Sequence, residues 1–210
     1  MAGYIGNFPT AIPLSGTDIA DGTITNSDLA NSSITVNGTS IDLGASGNIS
    51  AGITEADTWR LNTSFELGTT SFTNLTSNLE RDDTAGFNYI GTGMTESSGE
   101  FTFPSTGIWL IMQNWTTYDN ADFSWFEGFT RTTINSGTDY TTRVQSSTNI
   151  TGRTASSPEA SATGMCLFDV TNTSTHRVRF SYQSSDAATN VYGHTTVNVT
   201  HFQFIRLGDT

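Results

Sequence analysis

Residues 97–111 read SSGEFTFPSTGIWLI, and the run continues through MQNWTTY to Tyr118. From Gly99 to Tyr118 this stretch, GEFTFPSTGIWLIMQNWTTY, is rich in large apolar and aromatic residues and reads as one candidate strand. Similar segments recur on both sides: TWRLNTSFEL, SFTNLTSNLE, DFSWFEGFTRTTI, DYTTRVQSS, GMCLFDVTN, HRVRFSYQS and TVNVTHFQFIRL. Most end in clusters of Gly, Asn, Asp or Ser, the residues that turns demand. In HRVRFSYQ the alternation is explicit, with Val178, Phe180 and Tyr182 on one face and Arg177, Arg179 and Ser181 on the other. Eight or more short strands in about 150 residues predict an all-β domain built as a sandwich.

The composition agrees and sets limits on partners. Only 13% of the 210 residues are charged, while 13 Phe, 6 Tyr and 4 Trp supply material for a core. All eight basic residues are arginine, and the net charge of −12 is spread along the chain rather than gathered in a tail. Nucleic-acid binding is not expected, because displacing counterions from a phosphate backbone takes clustered cations. No apolar run approaches the roughly 18 residues of a membrane span, and no charged-then-apolar leader opens the chain, so neither membrane insertion nor Sec-dependent secretion is expected. The Asn-x-Ser/Thr triplets at Asn62, Asn74, Asn114 and Asn172 follow from the Asn, Ser and Thr content. Cys166 stands alone in the apolar run MCLFDV, which excludes an internal disulfide and suits a buried thiol.

Aromatic residues become frequent only after residue 57, which divides the chain. In the opening MAGYIGNFPTAIPL, two prolines and scattered hydrophobes follow neither helical nor strand period. Residues 1–15 are therefore read as an extended arm that orders on a partner through Tyr4, Ile5, Phe8, Ile12 and Leu14. In residues 16–56, TDIADGTIT (17–25) is echoed by SDLANSSIT (27–35) at a spacing of ten. Two aliphatic residues per unit cannot offset the roughly 1 to 2 kcal/mol per residue that ordering the backbone costs. Three copies around an axis could share the burial, so the segment is read as a short trimeric β-stem. Its expected core is Ile19, Ile24, Leu29, Ile34, Val36, Ile41 and Leu43, with a hairpin turn at Asn37-Gly38. Residues 57–210 then form the head.

The segment Gly99, Phe101, Pro104, Gly107 and Trp109 resembles the Gly-x-Phe-x-x-Pro-x-x-Gly-x-Tyr stretch of complement-q and tumour-necrosis-factor heads. The final strand HFQFIRLG is similar to the Phe-rich last strand of that superfamily. The likeness runs over residues 57–210 and implies a jelly roll that forms tight trimers. The repeat and the stretch ITVNGTSIDLG resemble segments of bacteriophage tail and head fibres, and YIGNFPT resembles the start of tail-associated proteins of marine cyanobacterial phages. These resemblances imply a homotrimeric virion protein, either a fibre-like adhesin attaching to the host surface or a capsid decoration protein. Its partners would be tail or major capsid proteins, met through the arm, and a host cell-surface glycan or protein.

No catalytic pattern stands out, so an enzyme is not expected and neither a cofactor nor a metal is invoked. His176, His194 and His201 come without a Gly-x-Ser-x-Gly elbow. Asp82 with Asp83, and Asp18 with Asp21, are oxygen-rich but lack the spacing of a calcium loop, although an ion on a threefold axis remains an alternative. Glu127 and Asp139 are candidate paired carboxylates only if the fold brings them together. The aromatic group Trp115, Tyr118, Phe123, Trp125, Phe126 and Phe129 is read as core or subunit interface. The loop TTYDNADF offers Tyr118, Asp119, Asn120 and Asp122 as a surface-recognition candidate.

Overall fold

The computed structural model describes residues 19–36, 38–48, 52–119, 122–151 and 158–210. The chain divides into two compact units, Met1–Gly52 and Ile53–Thr210. The docking-arm residues Tyr4, Ile5, Phe8, Ile12 and Leu14 and the acidic Asp18 lie outside the described residues.

In the first unit, β1 (Ser33–Val36) and β2 (Thr39–Asp42) form an antiparallel hairpin with Ile34 opposite Ile41 and Val36 opposite Thr39. Gly38 takes φ +76°, the left-handed conformation that a two-residue hairpin loop requires. The described residues before β1 are not strand. They make turns and one short 3₁₀ helix, Asn26–Asp28, whose Asp28 carboxylate accepts from the Thr25 amide at 2.8 Å and its hydroxyl at 2.7 Å. These bonds hold the Asp28 carboxyl below its ordinary range. Among the described residues the expected β-stem therefore has strands only from Ser33 on: Asp28 bonds back to Thr25, and Asn26 donates to the Leu43 carbonyl, in place of a ladder at 26–28.

The second unit is all-β. Its strands run β3 (Ala56–Leu61), β4 (Phe65–Glu66), β5 (Thr73–Asn74), β6 (Leu79–Arg81), β7 (Thr95–Ser97), β8 (Glu100–Thr102), β9 (Gly107–Tyr118), β10 (Phe123–Thr133), β11 (Thr141–Ile150), β12 (Glu159–Val170), β13 (Arg177–Ser184), β14 (Asn190–Val191) and β15 (His201–Gly208). One six-stranded sheet has the order β11-β10-β13-β8-β7, with β5 also on β13. The seven-stranded sheet has the order β4-β14-β9-β15-β3-β6, with β12 along the other side of β9. Where the sequence suggests one long strand from Gly99 to Tyr118, the chain instead leaves the first sheet after β8 and enters the second at β9. Pro104 has no amide to continue a ladder, and Gly107 turns the chain at φ +142° with no room for a side chain, since a Cβ would lie 2.4 Å from the Gly208 carbonyl oxygen.

The core lies between the two sheets. Phe101, Trp115, Phe126, Phe180, Phe202 and Phe204 are fully buried, and Phe180 stacks on Phe202 with centroids 3.9 Å apart. At its centre the buried Gln113 has all its hydrogen-bonding capacity used. Its oxygen accepts from Trp115 Nε1 (3.2 Å) and Thr130 Oγ1 (3.0 Å), and its nitrogen donates to the Gly128 carbonyl (2.9 Å) and Ser146 Oγ (3.0 Å). A satisfied polar group of this kind ties β9 to β10 and β11 and fixes how the sheets sit on each other.

Candidate functional site

In β9, the residues IWLIM at 108–112 are all apolar, yet a strand sends alternate side chains to opposite faces. Trp109 and Ile111 enter the core; Ile108, Leu110 and Met112 must face the other way. The same holds in β12, where Phe168 turns inward and Met165 and Leu167 turn outward, 60% and 64% exposed. Directly opposite residues share a face, so the registers assemble an outer surface row by row. One row is Leu167, Leu110, Ile205 and Ala56, and the Ala56–Ile90 bridge extends it to Ile90. The next is Met165, Met112, Gln203 and Thr58. Beyond it come Thr163, Asn114, His201 and Arg60, where the face turns polar. Five adjoining aliphatic or Met side chains on one sheet form a surface suited to contact with another protein rather than with water. Among the described residues β12 pairs only with β9, so a twelve-residue edge adjoins this face.

The polar end of the face is held by charge. The Arg60 side chain is fully buried, with Nη1 2.7 Å from Asp82 and Nη2 2.6 Å from Glu80 and 3.1 Å from Asp83. Burial opposes ionisation of Asp82, but donors from Asn198 and Thr84 together with the Arg60 charge hold its carboxyl below the usual range. The guanidinium thus occupies the position that a cation between Asp82 and Asp83 would take. No group of three or more His, Cys, Asp or Glu side chains suited to a metal occurs among the described residues.

The expected site residues fall as follows. Ile19, Ile24, Leu29 and Ile34 are exposed in the single chain, Ile24 and Ile34 at 55% and 54%, and Val36, Ile41 and Leu43 are half-buried. The surface-recognition candidates need correction. Asp119 is 3% exposed, because β9 runs on through Tyr118 and carries the next residue inward; only Asp122 is exposed, Tyr118 packs edge-on against Tyr192, and Asn120 lies outside the described residues. Trp115, Phe123 and Phe126 are core residues, whereas Phe129 is buried on the outer face of β10 against Phe72. The three histidines have local partners: His176 bonds the hydroxyls of Thr171 and Thr175, His194 bonds Thr196, and His201 lies 3.4 Å from the Val199 carbonyl. Glu127 accepts from Gln145 (2.7 Å) in mid-strand, whereas Asp139 sits beyond the far end of β10 beside Asn135 (3.4 Å). The Cys166 thiol is half-buried, and burial pushes it up against the opposing charge of Arg143. A cavity of about 480 Å³ opens at the tip of the β10–β11 hairpin, lined by Thr132, Thr133, Asp139, Thr141 and Arg143 among others.

The sequence reading missed the apolar sheet face. Its signal was present in IWLIM, where consecutive apolar residues within one strand require two dry faces.

No protein-family profile matches the chain, and no curated protein matches its sequence. Solved structures do match in fold. Murine APRIL at pH 8.5 aligns with a TM-score of 0.50 at 11% identity, covering 73% of this chain and 98% of that one. Eiger TNF from S. frugiperda aligns with a TM-score of 0.52 at 12% identity, covering 74% of this chain and 93% of that one. At such identities the likeness concerns the fold alone: the chain contains a jelly roll of the tumour-necrosis-factor type.

Proposed function

We propose that this chain is a homotrimeric appendage of a bacteriophage particle, whose head serves as an adhesin toward the host surface. The observation that carries the reading is that both units of a single chain leave apolar side chains uncovered. Ile19, Ile24, Leu29 and Ile34 are exposed in the repeat, and on the head Met165 and Leu167 are exposed beside the half-buried Leu110 and Ile205. Self-association around a threefold axis dries both rows with one symmetry, and the resemblance of the repeat to phage fibres supplies the setting. The arm at 1–15 would join the chain to tail or capsid proteins. A decoration protein on the capsid is the second reading, favoured by the brevity of the hairpin: strands of four residues span only about 13 Å, short for a fibre shaft.

Immunogold labelling of intact particles with antibody against residues 57–210 separates the two, since label confined to the tail supports the adhesin and label over the capsid supports decoration. Absence of label from particles sinks both. For the stem, replacing Ile24 and Ile34 together by Asp is expected to abolish association of residues 16–56 within the intact chain. Cross-linking between stem positions in adjacent chains reads this out, and undiminished cross-linking would show that these side chains do not meet across the axis.

A further inference from the structure

On the outer face of the six-stranded sheet, Arg131 of β10 lies directly opposite Arg179 of β13, with Arg177 two residues away on the same face. Like charges placed opposite one another across strands are destabilising. One carboxylate answers them: Glu100 lies 3.2 Å from Arg179 and 3.5 Å from Arg177. Arg131 finds neutral acceptors instead, the Tyr140 carbonyl at 3.0 Å and Asn74 Oδ1 at 3.4 Å. The guanidinium groups lie over aromatic rings, Arg131 over Phe72 at 5.1 Å and over Tyr140 at 5.7 Å, and Arg179 over Tyr140 at 4.7 Å. Tyr140 is itself fixed by donating its hydroxyl to Glu100 at 2.6 Å. Glu100 thus answers two of the three guanidiniums on this face, and Arg131 adds a positive charge with no carboxylate bonded to it among the described residues, in a chain whose net charge is −12.

We propose that this face, centred on Arg131 and Arg179, binds a carboxylated saccharide. A planar guanidinium presents paired donors to a carboxylate, and the ring of Phe72, 43% exposed, offers an apolar surface for the C–H face of a sugar. The net charge selects the ligand's size. An acidic protein or a polyanionic chain is repelled by the whole molecule over about one Debye length, whereas a single carboxylate responds to the field within a few ångströms of the arginines. The site is on the sheet opposite the apolar face, so assembly through that face leaves it open.

The inference rests on the adhesive reading of the head, but a solution assay separates the two, since sugar binding does not depend on where the chain sits in a particle. Titration of the full chain with glucuronate, followed by NMR shifts, is expected to saturate in the millimolar range. The uncharged methyl ester and glucose should bind at least tenfold more weakly, as should glucuronate to the Arg131→Gln and Arg179→Gln proteins. Arg179→Lys retains charge and bulk but loses the paired donors, and is expected to fall between, with an unchanged melting temperature. Equal binding of acid and ester, or full binding to both Gln variants, overturns the proposal. Displacement of glucuronate by acetate at equal concentration overturns the saccharide assignment, because the site would then hold any carboxylate. Failure here with label at the tail leaves the adhesin standing without this site.

Discussion

Replacing Gly99 by Val is expected to lower the stability of the head by about 4 kcal/mol. A residue with a Cβ pays roughly 1 to 2 kcal/mol for a left-handed conformation, and β-branching adds to it. Gly99 has φ +79° and follows Ser98 at φ +51°, so the pair forms the tight loop between β7 and β8. The larger cost is steric. A Cβ at Gly99 would lie 1.9 Å from the Leu75 carbonyl oxygen and 3.0 Å from Thr76 Cα. Those are backbone atoms, and moving them displaces Leu75 from the core and shifts Phe101, which touches Trp59, Phe180 and Phe204 at centroid distances of 5.1 to 5.7 Å. For a domain of this size each kcal/mol corresponds to about 2 to 4 °C in melting temperature, so a fall of about 8 to 16 °C is expected in calorimetry. A change within 2 °C would show that the loop over Leu75 yields freely.

The second large effect concerns assembly rather than folding. Leu110 and Leu167 stand directly opposite each other on the outward face of β9 and β12, and Leu167 is mostly exposed in the single chain. Changing both to Asp should cost the isolated head little. In a trimer closed over this face, each copy would place two carboxylates in a dry contact without partners, at several kcal/mol apiece. A loss of 4 kcal/mol or more corresponds to a dissociation constant raised about a thousandfold. Sedimentation should then report the 22.5 kDa chain where the parent protein sediments at three times that mass. A variant that keeps the trimer mass and a parent that never forms it each exclude this face as the contact.

The parts of this architecture that could be read from sequence are those encoded locally. The alternation in HRVRFSYQ, the Gly38 turn and the spacing of Gly99, Phe101, Pro104 and Gly107 each depend on residues within a dozen positions of one another; the all-β sandwich followed from the strand patterns, and the jelly roll from the resemblance that the Gly99–Trp109 segment carries. The break between β8 and β9 at Pro104 was missed because apolar residues continue across it. Asp119 was misplaced because polarity in TTYDNADF was equated with exposure, although the strand extends to its edge and buries it. The apposition of Arg131 with Arg179 was beyond reach, since those residues are joined only by the register of β10 on β13. Likewise the apolar outer face needs the alignment of β12, β9, β15 and β3, drawn from both ends of the head.

That alignment also has a consequence in time. The last strand, β15, is inserted between β9 and β3, pairing residues near 60 with residues near 201. While the chain is being synthesised, β3 and β9 emerge early and wait with open edges and exposed Trp and Phe side chains until residues 201–208 of β15 leave the ribosome. Long-range pairing of this kind is slow, and the waiting intermediate is prone to sticking to its neighbours. In the proposed trimer, contacts on the seven-stranded sheet would wait for its middle strand, so assembly would follow translation, and a chain lacking β15 is a polypeptide that cannot close its own sheet.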